Sequence, residues 1–355
     1  MKFFNITYIL LCLSNFFNNK YHKIIFILFI MLFYFLSFLR WETGTDWENY
    51  LITFQVSEDI SQIIHVKEYG FKLLNHIVKN FTDNYTVFLF ISATIIFILK
   101  GYTIWKLSLV PLLSLLMSFC LFQSDIYFVR QNIAAAILFF SIKYILNKKL
   151  IKFLICICLA TLIHQTAMIF IICYFLINNI TASKKIYILF FIIAIIVSLN
   201  IEKILIFFSL ILPKSYADKI IFYLSLQNYN FGYKTYMSKN MIILSASLNR
   251  IFLLFIYSLF RKKFPLYIKK IFFIYYIGFL LFLVFTPISL SLGRIVYYFD
   301  FMQLIIFPSI YKLITKKTNK IIFLSIFYLY CYLKMLSAIS AFYKYYIPYK
   351  SIFQR

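Results

Sequence analysis

Apolar runs of about 15–22 residues recur along the whole chain, each long enough to cross or nearly cross a bilayer. This repetition limits the possible folds more than any other feature of the sequence. The 355-residue chain is 63% hydrophobic, whereas soluble domains are about 45–50% apolar. Backbone polar groups in lipid must be hydrogen-bonded within the chain, so the runs are predicted to be helices. We therefore expect an all-α, polytopic integral membrane protein.

The runs predict about twelve transmembrane helices, within a range of about 10–13, in a single transmembrane domain over residues 1–355. The sixth and seventh runs are short and could form one span, with His164 where they meet. The predicted spans are 3–17, 24–39, 84–99, 107–122, 126–142, 151–163, 166–180, 186–201, 240–260, 267–286, 294–311 and 319–340.

The charges of the chain indicate its orientation. Lys and Arg number 36 against 11 Asp and Glu, for a net charge of +25. Most basic residues lie in short linkers between apolar runs, which is typical of a topology signal and not of nucleic-acid binding. Linkers on the predicted inner side are rich in lysine, and one of them would hold Lys100 and Lys106. The N-terminus is then outside, and residues 40–83 and 202–239 form long outer loops.

The first outer loop contains two segments with helical periodicity. Thr45 and Glu48 have the spacing of a capping box, so Thr45 is predicted to cap the first helix and Asp46 to begin it. Both segments are predicted to be amphipathic helices that lie in the membrane interface. Their apolar residues are Trp47, Tyr50, Leu51 and Phe54 in the first, and Phe71, Leu74, Ile77, Val78 and Phe81, opposite Lys72, Asn75 and Lys79, in the second.

Three arginines lie near the predicted outer ends of spans. Arg40 closes the second span, Arg130 lies one turn into the fifth, and Arg294 opens the eleventh. A charge at the centre of a membrane helix costs about 2.5–3.5 kcal/mol, so retained charges need a reason. Three guanidinium groups around one outer cavity would suit a lipid diphosphate, because each binds phosphate bidentately. The alternatives are snorkelling to the interface and pairing with Asp46 or Asp125.

Two residues could take a proton at the outer face. His164 could act as a base near neutral pH, although a lone histidine can also be a structural hydrogen-bonding group. Asp46 could act as a base or position a sugar hydroxyl, and stabilisation of a helix N-terminus is its alternative. Arg250 and Asp300 lie inside predicted spans, where we expect them to form a buried ion pair.

Three tyrosines are candidate sugar contacts, namely Tyr50, Tyr297 and Tyr298. The last two follow Arg294 by three and four residues, which places them on its helix face. Aromatic faces stack on sugars, but tyrosines are also ordinary at a bilayer interface. The six cysteines all lie in apolar runs, and none has metal-ligand spacing with a histidine. We therefore expect no metal site.

Several motifs together make the chain resemble the EpsG family, which is related to the Wzy-type O-antigen and capsule polymerases. The resemblance covers about residues 3–310, and Trp47 and Gln165 replace residues that are often Tyr and Ser. The motifs are Arg40 with Gly44-Thr45-Asp46 and Tyr50, then Glu68-Tyr69-Gly70-Phe71, Val129–Ala134, Leu159–Ala167 and Arg294–Phe299.

This resemblance implies a metal-independent membrane glycosyltransferase without a cofactor, located in a bacterial inner (cytoplasmic) membrane. It would transfer a glycan from undecaprenyl diphosphate onto the terminal sugar of an incoming lipid-linked repeat, which builds an exopolysaccharide, capsule or O-antigen. Arg40, Arg130 and Arg294 would stabilise the diphosphate leaving group. His164, or else Asp46, would activate the acceptor hydroxyl. Besides the lipid-linked oligosaccharide and the bilayer, a chain-length regulator could be a partner.

Three other functions are compatible with a polytopic membrane protein. A flippase for the lipid-linked repeat would favour charges along an interior path and a repeated architecture, and neither is visible in the sequence. A membrane acetyltransferase should carry His and Arg on its inner side, where the linkers hold almost only lysine. A glycan ligase handles the same leaving group as a polymerase, so only the family resemblance favours the polymerase.

Overall fold

The computed structural model describes residues 1–57, 68–179, 184–225, 239–288 and 292–354, and these residues are mainly helical. They group into two compact units, which we call the first and the second unit. The first unit is Met1–Ile171 with Leu304–Arg355, and the second unit is Ile172–Gln303. The predicted outer-loop residues Glu58, Asp59 and His65 lie outside the described residues.

The α-helices of the first unit agree with most of the predicted spans. Helix 85–107 packs between helices 22–38 and 130–146, and the small residues Ala134 and Ala135 are buried in that core. The helices are Lys2–Ser14, His22–Phe38, Trp47–Gln55, Tyr69–Phe81, Tyr85–Leu107, Pro111–Leu121, Ser124–Tyr127, Arg130–Leu146, Leu150–Ile163, Lys317–Ala341 and Tyr343–Tyr346.

The second unit contains the remaining helices and the confirmed ion pair of Arg250 and Asp300. Arg250 Nη2 lies 2.7 Å from Asp300 Oδ2, and the guanidinium also covers the ring of Phe282 at 4.1 Å. Its α-helices are Ile172–Asn179, Lys184–Ile211, Lys214–Ser225, Lys239–Phe260, Leu266–Phe285 and Tyr297–Asp300. The helix Gln303–Leu313 begins with the last residue of the second unit, and its other residues belong to the first unit.

Six of the described helices are long and apolar enough to span a membrane, which confirms a polytopic integral membrane protein. Four shorter apolar helices accompany them, at 2–14, 111–121, 150–163 and 165–177. A total of about twelve spans stays a prediction. The six candidate spans are Asn19–Phe38, Tyr85–Leu107, Lys185–Ile211, Ile243–Phe260, Leu266–Phe285 and Lys317–Ala341.

The predicted inner linker with Lys100 and Lys106 is wrong, because both residues lie within helix 85–107. Lys100 is buried, and its ammonium group contacts the carboxylate of the equally buried Asp125. This counter-ion allows a lysine to remain inside the helix, since a buried charge needs a partner. A lysine between two apolar runs is therefore not always a loop residue.

Two further helix boundaries differ from the prediction. Helix 184–211 continues through the predicted start of the second outer loop, because the apolar sequence resumes after Glu202 and Lys203. The predicted span 294–311 is not one helix: a 3₁₀ turn covers 292–296, a short helix covers 297–300, and a new helix begins at Gln303. These short pieces pack against helix 266–285, where Phe299 lies closely against Gly278.

The two amphipathic helices predicted for residues 40–83 are present, but their details differ from the prediction. The first helix begins at Trp47 with Asp46 as its N-cap and no side-chain cap hydrogen bond, so the predicted capping box is wrong. The second helix buries Phe71 and Asn75, while Ile77 and Phe81 are exposed. The amide nitrogen of the buried Asn75 donates to the Phe71 carbonyl oxygen at 2.8 Å, while its Oδ1 has no partner among the described residues.

Candidate functional site

Arg40 lies in the turn that follows helix 22–38, and its side chain is buried at 1% exposure. Its Nε donates to the Ser37 carbonyl oxygen at 3.0 Å, and its Nη1 donates to the Thr43 carbonyl oxygen at 2.9 Å. Gly44 has a φ of +114°, and a Cβ placed there would lie 2.9 Å from Arg40 Nη1. The turn therefore requires glycine at this position, and the guanidinium is fixed by the backbone of its own turn.

The C-terminal segment 343–354 completes this turn, which sequence reasoning missed. Trp41 donates its backbone N–H to the Lys350 carbonyl oxygen at 2.9 Å, and Gly44 donates to the Tyr345 carbonyl oxygen at 3.0 Å. These contacts join residues about 300 positions apart in the chain. No local pattern in the sequence indicates them, because backbone hydrogen bonds of irregular segments leave no periodic signal.

Tyrosines surround the buried Arg40 guanidinium. Burial lowers the pKa of Arg40 below its ordinary value, while nearby Tyr85, Tyr50 and Tyr349 act in the opposite direction. Burial also raises the pKa of Tyr50 to about 12, and that of Tyr349 to about 12. Arginine stays protonated in proteins, so the turn holds a positive charge that neutral phenol groups surround.

Arg130 is the first residue of helix 130–146, and not one turn into a span as predicted, because Phe128 is extended and ends the preceding short helix. Its Nη1 lies 2.6 Å from Glu68 Oε2, and its side chain is 40% exposed. The guanidinium carbon lies 5.9 Å from the centre of the Phe71 ring. Among the residues that the structure describes, none is a hydrogen-bond partner of its buried Nε. One edge of this arginine is thus held by Glu68, while part of the group stays accessible.

His164 ends helix 150–163 in an extended conformation. Its Nδ1 lies 2.8 Å from Thr166 Oγ1 and 3.8 Å from Glu68 Oε1. The same carboxylate oxygen accepts the backbone N–H of Gln165 at 3.4 Å. Glu68 therefore brings Arg130 and His164 together. Sequence reasoning quoted Glu68 only as part of a motif and did not propose it as a site residue.

Tyr50 connects the Arg40 turn with this second cluster. It is buried on helix 47–55, and its ring lies 5.7 Å from that of Phe71 in an edge-on contact. The charges of Arg130, Asp46 and Arg40 all act on its hydroxyl group, which also has a hydrogen bond with the Arg130 backbone. The first unit thus collects the predicted residues Arg40, Asp46, Tyr50, Arg130 and His164 at one end.

Arg294, Tyr297 and Tyr298 belong to the second unit. Arg294 is exposed in the 3₁₀ turn, Tyr297 is half-buried and Tyr298 is buried. Tyr297 packs edge-on against Phe301, with ring centres 5.0 Å apart. The break between the 3₁₀ turn and helix 297–300 replaces the continuous helix face predicted for these residues. Their roles in binding stay a prediction.

In the part of the chain that the structure describes, no group of three or more His, Cys, Asp or Glu residues could hold a metal ion. All six cysteines carry free thiols. The side chains described at this site carry guanidinium, carboxylate, imidazole and phenol groups.

Comparison with known proteins confirms the resemblance that the motifs indicated. The model of the EpsG family matches residues 23–351, which is nearly the whole chain and includes every candidate site residue. No curated protein sequence and no solved structure matches the chain.

Proposed function

The chain belongs to the EpsG family, and from this membership we propose that it is a Wzy-type polysaccharide polymerase in a bacterial inner membrane. The family match over nearly the whole chain is the observation that carries the proposal. The substrate is an oligosaccharide repeat on undecaprenyl diphosphate. The enzyme transfers the growing glycan from one such lipid onto the terminal sugar of the next.

The departure of a diphosphate is the chemical step that needs most help from the protein. Arg130 suits this demand because its guanidinium is 40% exposed and is held at a defined position by Glu68. An arginine in such a place can bind two phosphate oxygens at once. Arg294 keeps the diphosphate-binding role predicted for it. Arg40 donates two of its hydrogen bonds to the backbone of its own turn, so we assign it a fixed positive charge that favours the leaving group.

A base at the acceptor hydroxyl completes the reaction. His164 takes the proton while the acceptor oxygen bonds to the anomeric carbon of the donor sugar. The bond between that carbon and the diphosphate oxygen breaks, and its electron pair leaves with the diphosphate. The contact of His164 Nδ1 with Thr166 supports this role, since it fixes the imidazole orientation. Asp46 is the alternative base, and no metal or other cofactor takes part.

Tyrosines contribute the sugar contacts in this proposal. Tyr297 is half-buried and can present part of its ring to a sugar, whereas Tyr298 is buried among its neighbours. Tyr50 is also buried, beside the charges of Arg130 and Asp46. We therefore propose Tyr297 as a direct sugar contact, and Tyr50 and Tyr298 as supports for the residues around them.

The test is a glycan gel of a strain that lacks the gene, with a plasmid-complemented control. Collapse of the polymer ladder to a single repeat unit is the expected result. Loss of every repeat, including the single unit, would indicate a flippase or a ligase instead. An unchanged ladder would overturn the proposal.

Variants in the complemented strain then test the site. Arg130→Ala and Arg294→Ala proteins that reach the membrane at normal abundance should leave only single repeats. Arg261→Ala is the matched control, because Arg261 is an arginine of the second unit whose guanidinium covers Tyr187 at 5.5 Å and has no assigned role. Normal polymer from the first two variants would contradict the assigned roles of these arginines.

A further inference from the structure

We propose that Glu68 is a positioning residue that couples Arg130 to His164, an inference that rests on the proposed polymerase function. Glu68 precedes helix 69–81 and has a φ of +69°. A non-glycine residue in this left-handed region is uncommon. Such a conformation persists only when its surroundings hold it, and it is found at functional sites more often than elsewhere.

The two oxygens of the Glu68 carboxylate face different partners. Oε2 lies 2.6 Å from Arg130 Nη1, while Oε1 accepts the Gln165 backbone N–H at 3.4 Å and lies 3.8 Å from His164 Nδ1. The side chain is only 16% exposed, so this arrangement is partly shielded from water. One carboxylate therefore joins the ends of three helices, which begin or end at Tyr69, Arg130 and Ile163.

This arrangement has two consequences for the reaction. The ion pair fixes the edge of the Arg130 guanidinium that carries Nη1, and so it orients the exposed part of the group toward a diphosphate. The nearby carboxylate also stabilises the imidazolium that forms when His164 takes the acceptor proton, because opposite charges a few ångströms apart favour the charged form. Glu68 itself touches neither the sugar nor the diphosphate.

The charge of Glu68, and not its bulk, is what this role requires. Glu68→Gln keeps the shape of the side chain and removes the charge, whereas Glu68→Asp keeps the charge on a shorter side chain. Asp83→Asn is a matched control, because it removes a carboxylate from the Lys79–Asp83 ion pair at the other end of helix 69–81, where Asp83 is exposed.

The experiment measures the initial rate at which single repeats are joined in membranes that contain the host's own lipid-linked repeat. Glu68→Gln should lower this rate by about 100-fold, the lower end of what a positioned general base contributes. Glu68→Asp should recover part of the rate, and Asp83→Asn should not change it. Thermal stability of the purified Glu68→Gln protein should stay close to that of the wild type, because the Arg130 side chain is 40% exposed and water screens its attraction to Glu68.

A double-substitution comparison separates positioning from a merely structural role. In a His164→Gln protein, Glu68→Gln should lower the residual rate by much less than 100-fold, because residues that act as a unit are not additive. An equal loss in both backgrounds, or a normal rate for Glu68→Gln, would overturn the role of Glu68. Failure of wild-type membranes to join repeats at all would instead overturn the proposed polymerase function.

Discussion

The contact between Gly70 and Leu162 predicts that Gly70→Ala destabilises the protein, whereas helix propensity alone would predict stabilisation. Gly70 is the second residue of helix 69–81 and lies against the end of helix 150–163. A Cβ at Gly70 would lie 2.8 Å from Leu162 Cβ, 2.9 Å from its carbonyl carbon and 3.0 Å from its carbonyl oxygen. Two of these three atoms belong to the main chain, so rotation of the Leu162 side chain cannot remove the overlap.

The free energy of unfolding of Gly70→Ala follows from two opposing effects. Carbon atoms attract each other best at about 3.5–4.0 Å, so the two helices would have to separate by roughly 0.5–1 Å. Overpacking of this kind costs about 1–3 kcal/mol, whereas alanine in place of glycine stabilises a helix by at most about 1 kcal/mol. We expect a net loss of about 1–2 kcal/mol, and a displacement of Glu68 relative to His164.

Thermal unfolding of the purified protein in mild detergent measures this effect. Gly101→Ala is the matched control, because the three atoms nearest to a Cβ there all belong to the flexible side chain of Ile30, at 3.4–3.8 Å. The control should be as stable as the wild type or more stable. Leu162→Ala should not rescue Gly70→Ala, since alanine retains Cβ and the carbonyl group. A full rescue, or an unchanged midpoint for Gly70→Ala, would refute the reasoning.

Three further predictions concern buried polar groups of the first unit. Lys100→Met leaves the Asp125 carboxylate buried without its counter-ion and should lower the free energy of unfolding by about 3–5 kcal/mol. Adding Asp125→Leu to Lys100→Met should recover most of this loss. Equal thermal-unfolding midpoints for the single and the double variant would contradict the prediction. Thr43→Val removes the hydroxyl that accepts the Lys350 backbone N–H at 3.1 Å. The free energy of unfolding should fall by about 1–3 kcal/mol, and limited proteolysis should cleave the C-terminal segment 343–354 faster. Tyrosine in the unfolded chain has a pKa of about 10, whereas burial raises the pKa of Tyr50 to about 12. The contribution of Tyr50 to the free energy of unfolding should therefore fall as the pH rises from about 10 to about 12. A Tyr50→Phe protein with the same alkaline stability profile as the wild type would show that Tyr50 does not contribute.

Much of the fold was predictable because it depends on local composition. Helices 22–38, 150–163 and 266–285 lie within about two residues of their predicted bounds, since long apolar runs define them without reference to the rest of the chain. The turn at Gly44 was also predictable, as glycine alone adopts its φ at no steric cost. The pair of Arg250 and Asp300 was expected, because two opposite charges within apolar spans have few other ways to be satisfied.

The sequence was sufficient to predict which residues belong to the candidate site, but not which contacts join them. Arg40, Arg130 and His164 are identifiable as candidates from their residue types, because a charged or polar side chain near lipid costs free energy. Their partners depend on which helix ends meet, and a single sequence contains no signal for that. For this reason Glu68 was not identified as the residue that joins Arg130 and His164.

The sequence by itself determined that this chain is a helical membrane protein, because a bilayer imposes long apolar helices that composition reveals directly. The motifs of the sequence carried the resemblance to the EpsG family, which the match over residues 23–351 confirms. The tertiary structure alone decided that Lys100 lies inside a helix opposite Asp125. It also decided that residues near Lys350 complete the turn of Arg40. The physical reason is the same in both cases: a buried polar group must find a partner, and that partner is chosen by packing between segments far apart in the chain.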